Sequence, residues 1–217
     1  METGFMLKVW GRATSSNVQK VMWTVGELGL AHERMDVGGQ FGGLDTDQYG
    51  ALNPHRLVPT VETGDGLVLW ESNAIMRHLA RHDPERRLWP TDRHGEADAD
   101  MWAEWAHNAV SRPVTGLFWA LVRTRKVDHD QNLIAQNLNA ALTGLKAAET
   151  QLAAHPFLAG ETLSIADIVL GHILYRYHEM EIDRPALPAL TRYYEGLCAR
   201  QAYRDHVMVD FSSLKAD

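Results

Sequence analysis

The chain has 217 residues, 45% of them hydrophobic and 23% charged, with a formal net charge of −7 at pH 7 and one cysteine, Cys198. That length can bury a substantial core in one large or two small domains, and no apolar run approaches the roughly 20 residues of a membrane-spanning helix. The negative charge, with no Lys/Arg-rich run, argues against a nucleic-acid partner; the lone cysteine rules out an internal disulfide framework or a Cys-x-x-Cys motif, so thiol chemistry would need a thiol from outside.

At the N-terminus, Met1-Glu2-Thr3-Gly4-Phe5-Met6 has neither a basic n-region nor a long apolar h-region, so no secretory signal is expected and a cytoplasmic protein is. Leu7-Lys8-Val9-Trp10 reads as an apolar strand, Asn17 to Leu28 as a helix stopped by Gly29, and His32 to Val37 as a second strand. A glycine-rich loop, Gly38 to Gly43, follows. Val58 to Glu62 and Leu67 to Trp70 are strands joined by a hairpin at Gly64-Asp65-Gly66, and Ser72 to Arg81 is a helix. The order is βαβ followed by ββα.

From Asp83 to Gly95 the chain turns polar and carries Pro84 and Pro90, the composition of a linker. Strand signals then vanish. Ile134, Leu138, Ala141, Leu145, Ala148 and Leu152 recur at helical spacing, Ser164-Ile165-Ala166-Asp167 has the spacing of a helix N-cap, and Pro188 suits the first turn of a last major helix running to Cys198.

Three places could carry chemistry. Glu71-Ser72 sits where a strand passes into a helix, so free amides and the positive end of the helix dipole favour a bound carboxylate. Ser16 and Gln19 have capping-box spacing, which puts Ser16 at the N-cap and leaves Ser15 just outside the helix. His78 and His82 lie four apart on one helix, but no third ligand stands at a suitable spacing, so no metal is expected.

Asn53-Pro54-His55-Arg56-Leu57-Val58-Pro59-Thr60-Val61, followed by Glu71-Ser72-Asn73-Ala74-Ile75, resembles the N-terminal domain of the soluble glutathione S-transferases, and the likeness extends over essentially the whole chain to the theta-like, serine-type bacterial members. It implies a thioredoxin-like α/β domain over residues 1–83, a linker at 84–95 and an all-helical domain over 96–217. It implies further that reduced glutathione is the co-substrate, its thiol activated to attack a small apolar electrophile or to reduce a peroxide or disulfide. A homodimer is expected by analogy.

In the residues, the resemblance implies a cis peptide before Pro59 and a Val58 whose N–H and C=O pair with the cysteinyl part of glutathione. Ser72 would hold the γ-glutamyl carboxylate and Glu71 the ammonium. Ser15 aligns with the catalytic serine of theta-like members, and Asn17 with the asparagine credited with activation in some bacterial ones. Many relatives place a lysine two residues before the cis proline, to meet the glycyl carboxylate. Here that position is Leu57, and Gln40 stands first as a substitute, with His55 and Arg56 as alternatives. The electrophile pocket is expected between the domains, with Trp105, Asn108 and Arg112 as contacts and Pro113 kinking their helix. Asp167 looks like the family's buried capping acid. A non-catalytic binding module of the same fold is the rival reading; the departure at Leu57 favours it, and Ser15, Glu71 and Ser72 favour the enzyme.

Overall fold

The computed structural model describes residues 6–216; Met1–Phe5, most of the segment read above for a signal, and Asp217 lie outside the described residues. Four strands, β1 Leu7–Trp10, β2 His32–Met35, β3 Thr60–Glu62 and β4 Val68–Trp70, form one sheet in the order β2-β1-β3-β4. β1 and β2 are parallel, whereas β3 runs antiparallel to both β1 and β4. Leu7 and Val9 alternate inward from β1 onto helix α1, Ser16–Glu27, which buries Val18, Val21, Met22, Trp23 and Val25. Gly29, at φ +60°, ends that helix in the left-handed conformation that only glycine adopts cheaply.

A short helix that the sequence reading did not anticipate, α2 Asp47–Leu52, follows the glycine-rich loop, so the order is βαβαββα. Thr46 caps it, its Oγ1 accepting from Tyr49 N at 3.2 Å. Helix α3, Ser72–His82, then closes the α/β part.

The remaining helices are α4 Arg93–Ala106, α5 Arg112–Val122, α6 Gln131–Ala154, α7 Ile165–Glu179, α8 Pro188–Cys198 and α9 Gln201–His206. α4 begins inside the stretch that reads as linker, because Asp92 accepts from His94 N and Gly95 N and so starts a helix there. α7 is buried on nearly every side and packs on α1, α4 and α5. Its start is held by Asp167, whose carboxylate accepts from Leu158 N, Ser164 N, Ser164 Oγ and Tyr193 OH at 2.9–3.1 Å. Cys198 packs half-buried against the core, and burial pushes its thiol pKa up. Among the described residues, no helix is long and apolar enough to cross a membrane.

One hydrophobic cluster runs through both parts of the chain. At their junction Trp23 meets Tyr203 edge-on at 4.8 Å, and a Cβ on Gly171 would lie 2.7 Å from the Trp23 ring. Only a glycine lets α7 approach α1 that closely. Glu27 and Arg200 add a two-pronged ion pair at 2.6 and 2.7 Å across the same seam.

Candidate active site

The strand register places the candidate residues together. Trp10 pairs with Met35 and Thr60, and Thr60 with Trp70, so the chain leaves β1, β2 and β4, and enters β3, at one end of the sheet. The loop with Ser15, the glycine-rich loop with Gln40, the Val58-Pro59 dipeptide and the Glu71-Ser72 turn all lie at that end. A Cβ on Gly11 would stand 3.3 Å from Val58 Cβ, so the first and third of these segments are in contact.

Ser15, rather than the expected Ser16, occupies the N-cap position of α1, with extended dihedrals of −83° and 123°. The capping box does not form. Gln19 Nε2 donates instead to Ala13 O at 3.1 Å, turning the loop from within, while Gln19 N begins the helical ladder on Ser15 O at 2.9 Å. Ser15 Oγ nonetheless has no hydrogen-bond partner among the described residues, and the first amides of α1 are the unpaired donors of a helix start. Asn17 is engaged, its Oδ1 accepting from Ser72 Oγ at 3.3 Å.

The Val58-Pro59 peptide is cis. Leu57 O just before it accepts from Tyr49 OH at 2.7 Å and from Asn53 Nδ2 at 2.9 Å, and Asn53 Nδ2 also donates to Thr60 Oγ1 at 3.1 Å. α2 thus clamps the loop on either side of the dipeptide and leaves the N–H and C=O of Val58 without partners among the described residues. Tyr49 and Asn53 escaped the sequence reading; the only signal was Thr46 with an acidic residue behind it, a cap without an apolar stripe.

Of the groups weighed against the missing lysine, Arg56 is spent on Leu44 O and Thr46 O at 2.9 and 2.8 Å, and His55 packs edge-on to Trp70 at 4.9 Å. Gln40 is exposed in a short turn and makes no side-chain hydrogen bond among the described residues. Leu57 itself is 60% exposed.

Glu71 precedes α3 with φ +69°, a conformation that costs a non-glycine residue about 1–3 kcal/mol and gathers at functional sites. Its side chain is exposed, while Ser72 is buried at the helix start. Behind them Lys20 Nζ donates to Asn73 Oδ1 at 2.7 Å. Burial drives the Lys20 pKa down to about 7, against the pull of Glu71 and Glu104.

Lys20 lines a cavity of about 290 Å³ with Ser16, Asn17, His107, Ser111, Arg112, Thr115 and His172. Burial first, and the Lys20 charge second, lower the pKa values of His107 and His172. Of the three expected contacts only Arg112 reaches this cavity. Trp105 packs edge-on against Trp102 at 4.9 Å, and exposed Asn108 donates to Glu104 O at 2.9 Å. The reason is a π-helical turn, His107–Ser111, between α4 and α5. Its extra residue rotates the helix face, so His107, Ser111 and Thr115 meet the cavity in place of Trp105 and Asn108. The break falls there, with Pro113 in the first turn of α5.

Comparison with known proteins settles the family. Residues 14–82 match the glutathione S-transferase N-terminal domain and residues 131–196 the C-terminal domain. Glutathione S-transferase GstB of Escherichia coli K12 is 33% identical over 208 residues, covering 95% of this chain and all of the relative. The chain belongs to the glutathione S-transferase family. Glutathione S-transferase 4 of Zea mays is 31% identical over 90% of this chain and 89% of its own. The theta class glutathione S-transferase of Xanthomonas axonopodis pv. citri, solved with glutathione bound, superposes with a TM-score of 0.88 at 41% identity over 94% of this chain and 98% of that one.

Like its relatives, this glutathione S-transferase pairs a mixed four-stranded sheet with a helical C-terminal part, and it is a glutathione transferase with glutathione as its co-substrate. Among the described residues no group of three or more His, Cys, Asp or Glu could hold a metal ion.

Proposed function

We infer that glutathione lies across the sheet end, with its thiol at Ser15. Val58 pairs through its main chain with the cysteinyl part. Ser72 and the α3 amides receive the γ-glutamyl carboxylate, Glu71 its ammonium, and Gln40 the glycyl end. The observation that carries this reading is the free Ser15 hydroxyl at an uncapped helix start, at the same end of the sheet as the unpaired main chain of Val58. Between Ser15 and Asn17, the Asn17 contact to Ser72 favours Ser15 as the activating group and Asn17 as a positioning residue.

The energetics suffice. A hydrogen bond to a charged group contributes about 1.5–3 kcal/mol and one pKa unit is about 1.4 kcal/mol, so one hydroxyl with the α1 amides lowers a thiol by roughly one to two units from about 8.5. A large fraction is then thiolate at neutral pH. It attacks the electrophile directly, the leaving group departs, and no covalent enzyme intermediate forms. Every residue lining the 290 Å³ cavity is polar or charged, which favours an electrophile with a polar substituent over the wholly apolar one expected from the resemblance. A homodimer, a cytoplasmic setting with its reduced glutathione pool, and a division into residues 1–83, 84–95 and 96–217 belong to the same reading.

The test separates binding from activation. Ser15→Ala should raise the pKa of the bound thiol by about one to two units, read as thiolate absorbance, and lower turnover about 10- to 100-fold while glutathione affinity holds within about twofold. Glu71→Ala should do the reverse, weakening affinity with the thiol pKa unchanged. The opposite pattern would show the roles exchanged.

A further inference from the structure

Two arginines meet at the β1–α1 loop, and a third, Arg123, is near enough for its charge to act on both. Arg12 lies in the loop, and Ser15 N donates to Arg12 O at 3.1 Å. Arg176 of α7 donates from Nη2 to Thr14 O at 2.6 Å. Arg123 follows α5 and lays its guanidinium 3.9 Å over the Trp119 ring, while that of Arg176 sits 4.5 Å over Phe118. Arg12 in turn packs on the glycine-rich loop, where a Cβ on Gly39 would lie 3.1 Å from its Nε.

This cluster is electrostatically unmatched. Arg34, Arg77, Arg86, Arg87, Arg125 and Arg200 all hold carboxylates, whereas Arg12, Arg123 and Arg176 form no ion pair among the described residues. Arg176 is 4% exposed, and its Nε and that of Arg12 are buried without a partner. Burial lowers the pKa of Arg176 to about 10, and the charges of Arg12 and Arg123 add to the fall. Arg12 is lowered by burial and by Arg123. A buried cation is ordinarily paired, and a guanidinium fork matches a carboxylate in two places. Trp119, exposed and stacked on one face by Arg123, supplies an aromatic surface beside the charges.

We propose that the electrophile is an organic acid, its carboxylate received by Arg12 and Arg123 while Arg176 holds the loop that carries Ser15. This rests on the conjugation reading above and names its substrate class. With a chloronitrobenzoate, the glutathione thiolate adds to the ring carbon bearing chlorine, the C–S bond forms, chloride leaves with the C–Cl electron pair, and the thiol proton has already gone to solvent.

The test compares kcat/KM for a chloronitrobenzoate and the matching uncharged chloronitrobenzamide. Wild type should prefer the acid by about tenfold or more, the worth of one charge-assisted hydrogen bond. Arg12→Gln and Arg123→Gln should each bring the acid-to-amide ratio near one, and Arg123→Lys should retain part of it. Equal handling of the two arenes by wild type, or a ratio that survives both glutamine changes, overturns the proposal. The same ratios are measured with glutathione esterified at its glycyl carboxylate. If the ester removes the arginine dependence, the cluster serves the tripeptide and the proposal falls; if the dependence persists, the carboxylate recognised is the electrophile's. Glutathione-agarose retention is read alongside. A protein that retains glutathione and conjugates both arenes equally fails this inference alone, whereas one that does neither sinks the conjugation reading and this inference with it.

Discussion

Asp167 and Lys20 are both ionisable and both buried, at 0% and 1% exposure, yet their surroundings are built to opposite plans. Asp167 has each oxygen engaged: Oδ1 accepts from Leu158 N and Tyr193 OH, Oδ2 from Ser164 N and Ser164 Oγ. Lys20 has three N–H donors, makes one hydrogen bond among the described residues, to Asn73, and borders the cavity. The arginines divide the same way, with Arg87 and Arg200 tied to carboxylates and Arg12 and Arg176 left with an idle buried Nε. Buried polar groups are normally satisfied, so the saturated Asp167 holds the fold together, while Lys20, at the edge of the cavity, keeps donors for a ligand.

The strongest test of that contrast is Asp167→Ala. It strands two buried amides and takes the carboxylate acceptor from the hydroxyls of Ser164 and Tyr193, each unsatisfied group costing about 1–3 kcal/mol, and should cost on the order of 3–5 kcal/mol in denaturant unfolding. Glutathione retention should survive wherever the variant is folded. A loss under about 1 kcal/mol would mean that the saturated network contributes nothing special.

Lys20→Met tests the other side through pH. The folded pKa is lowered from 10.5 to about 7, so between those values the unfolded chain keeps a proton that the folded protein has released. Stability therefore rises with pH across that window, and the cost of burying the ammonium is felt in full below about pH 7. The wild-type stability, less that of Lys20→Met, should climb by on the order of 2–3 kcal/mol between pH 7 and 10, after allowance for water in the cavity. A flat difference would place Lys20 in a wet setting and erase its contrast with Asp167.

What neighbouring residues specify was legible in sequence, and what weak or long-range contacts specify largely was not. Ser164-x-x-Asp167 announces its own helix cap because all its partners but Leu158 and Tyr193 are local, and Val58-Pro59 with Glu71-Ser72 marks the sheet end through short-range spacing. α2 stayed hidden because six residues that bury only Tyr49 leave no stripe to find. Two adjacent serines made the α1 cap ambiguous, and the answer turned on Gln19 reaching Ala13 O instead of back to the cap. A wheel of regular helical period could not foresee the π-helical turn that removes Trp105 and Asn108 from the cavity. The arginine cluster is invisible locally, since Thr14 and Arg176 stand 162 positions apart.

The mildest perturbation asks whether α2 acts on the site as a clamp. Tyr49→Phe deletes the hydroxyl that donates to Leu57 O at 2.7 Å and lies 2.9 Å from Thr60 Oγ1. Leu57 O keeps its bond from Asn53 Nδ2, so no carbonyl is stranded and stability should fall by only about 1 kcal/mol. The loop bearing Val58 would nonetheless lose one of the two donors that fix it. Because the proposed pairing of Val58 with glutathione runs through main-chain groups, a looser loop should weaken glutathione affinity a few-fold by calorimetry while leaving the bound-thiol pKa alone. If affinity instead stays at the wild-type value, Asn53 alone holds the loop. Asn53→Ala, which removes the donor to Leu57 O and Thr60 Oγ1 and the acceptor for His55 N at 3.0 Å, then becomes the change that must weaken binding if main-chain recognition at Val58 is correct.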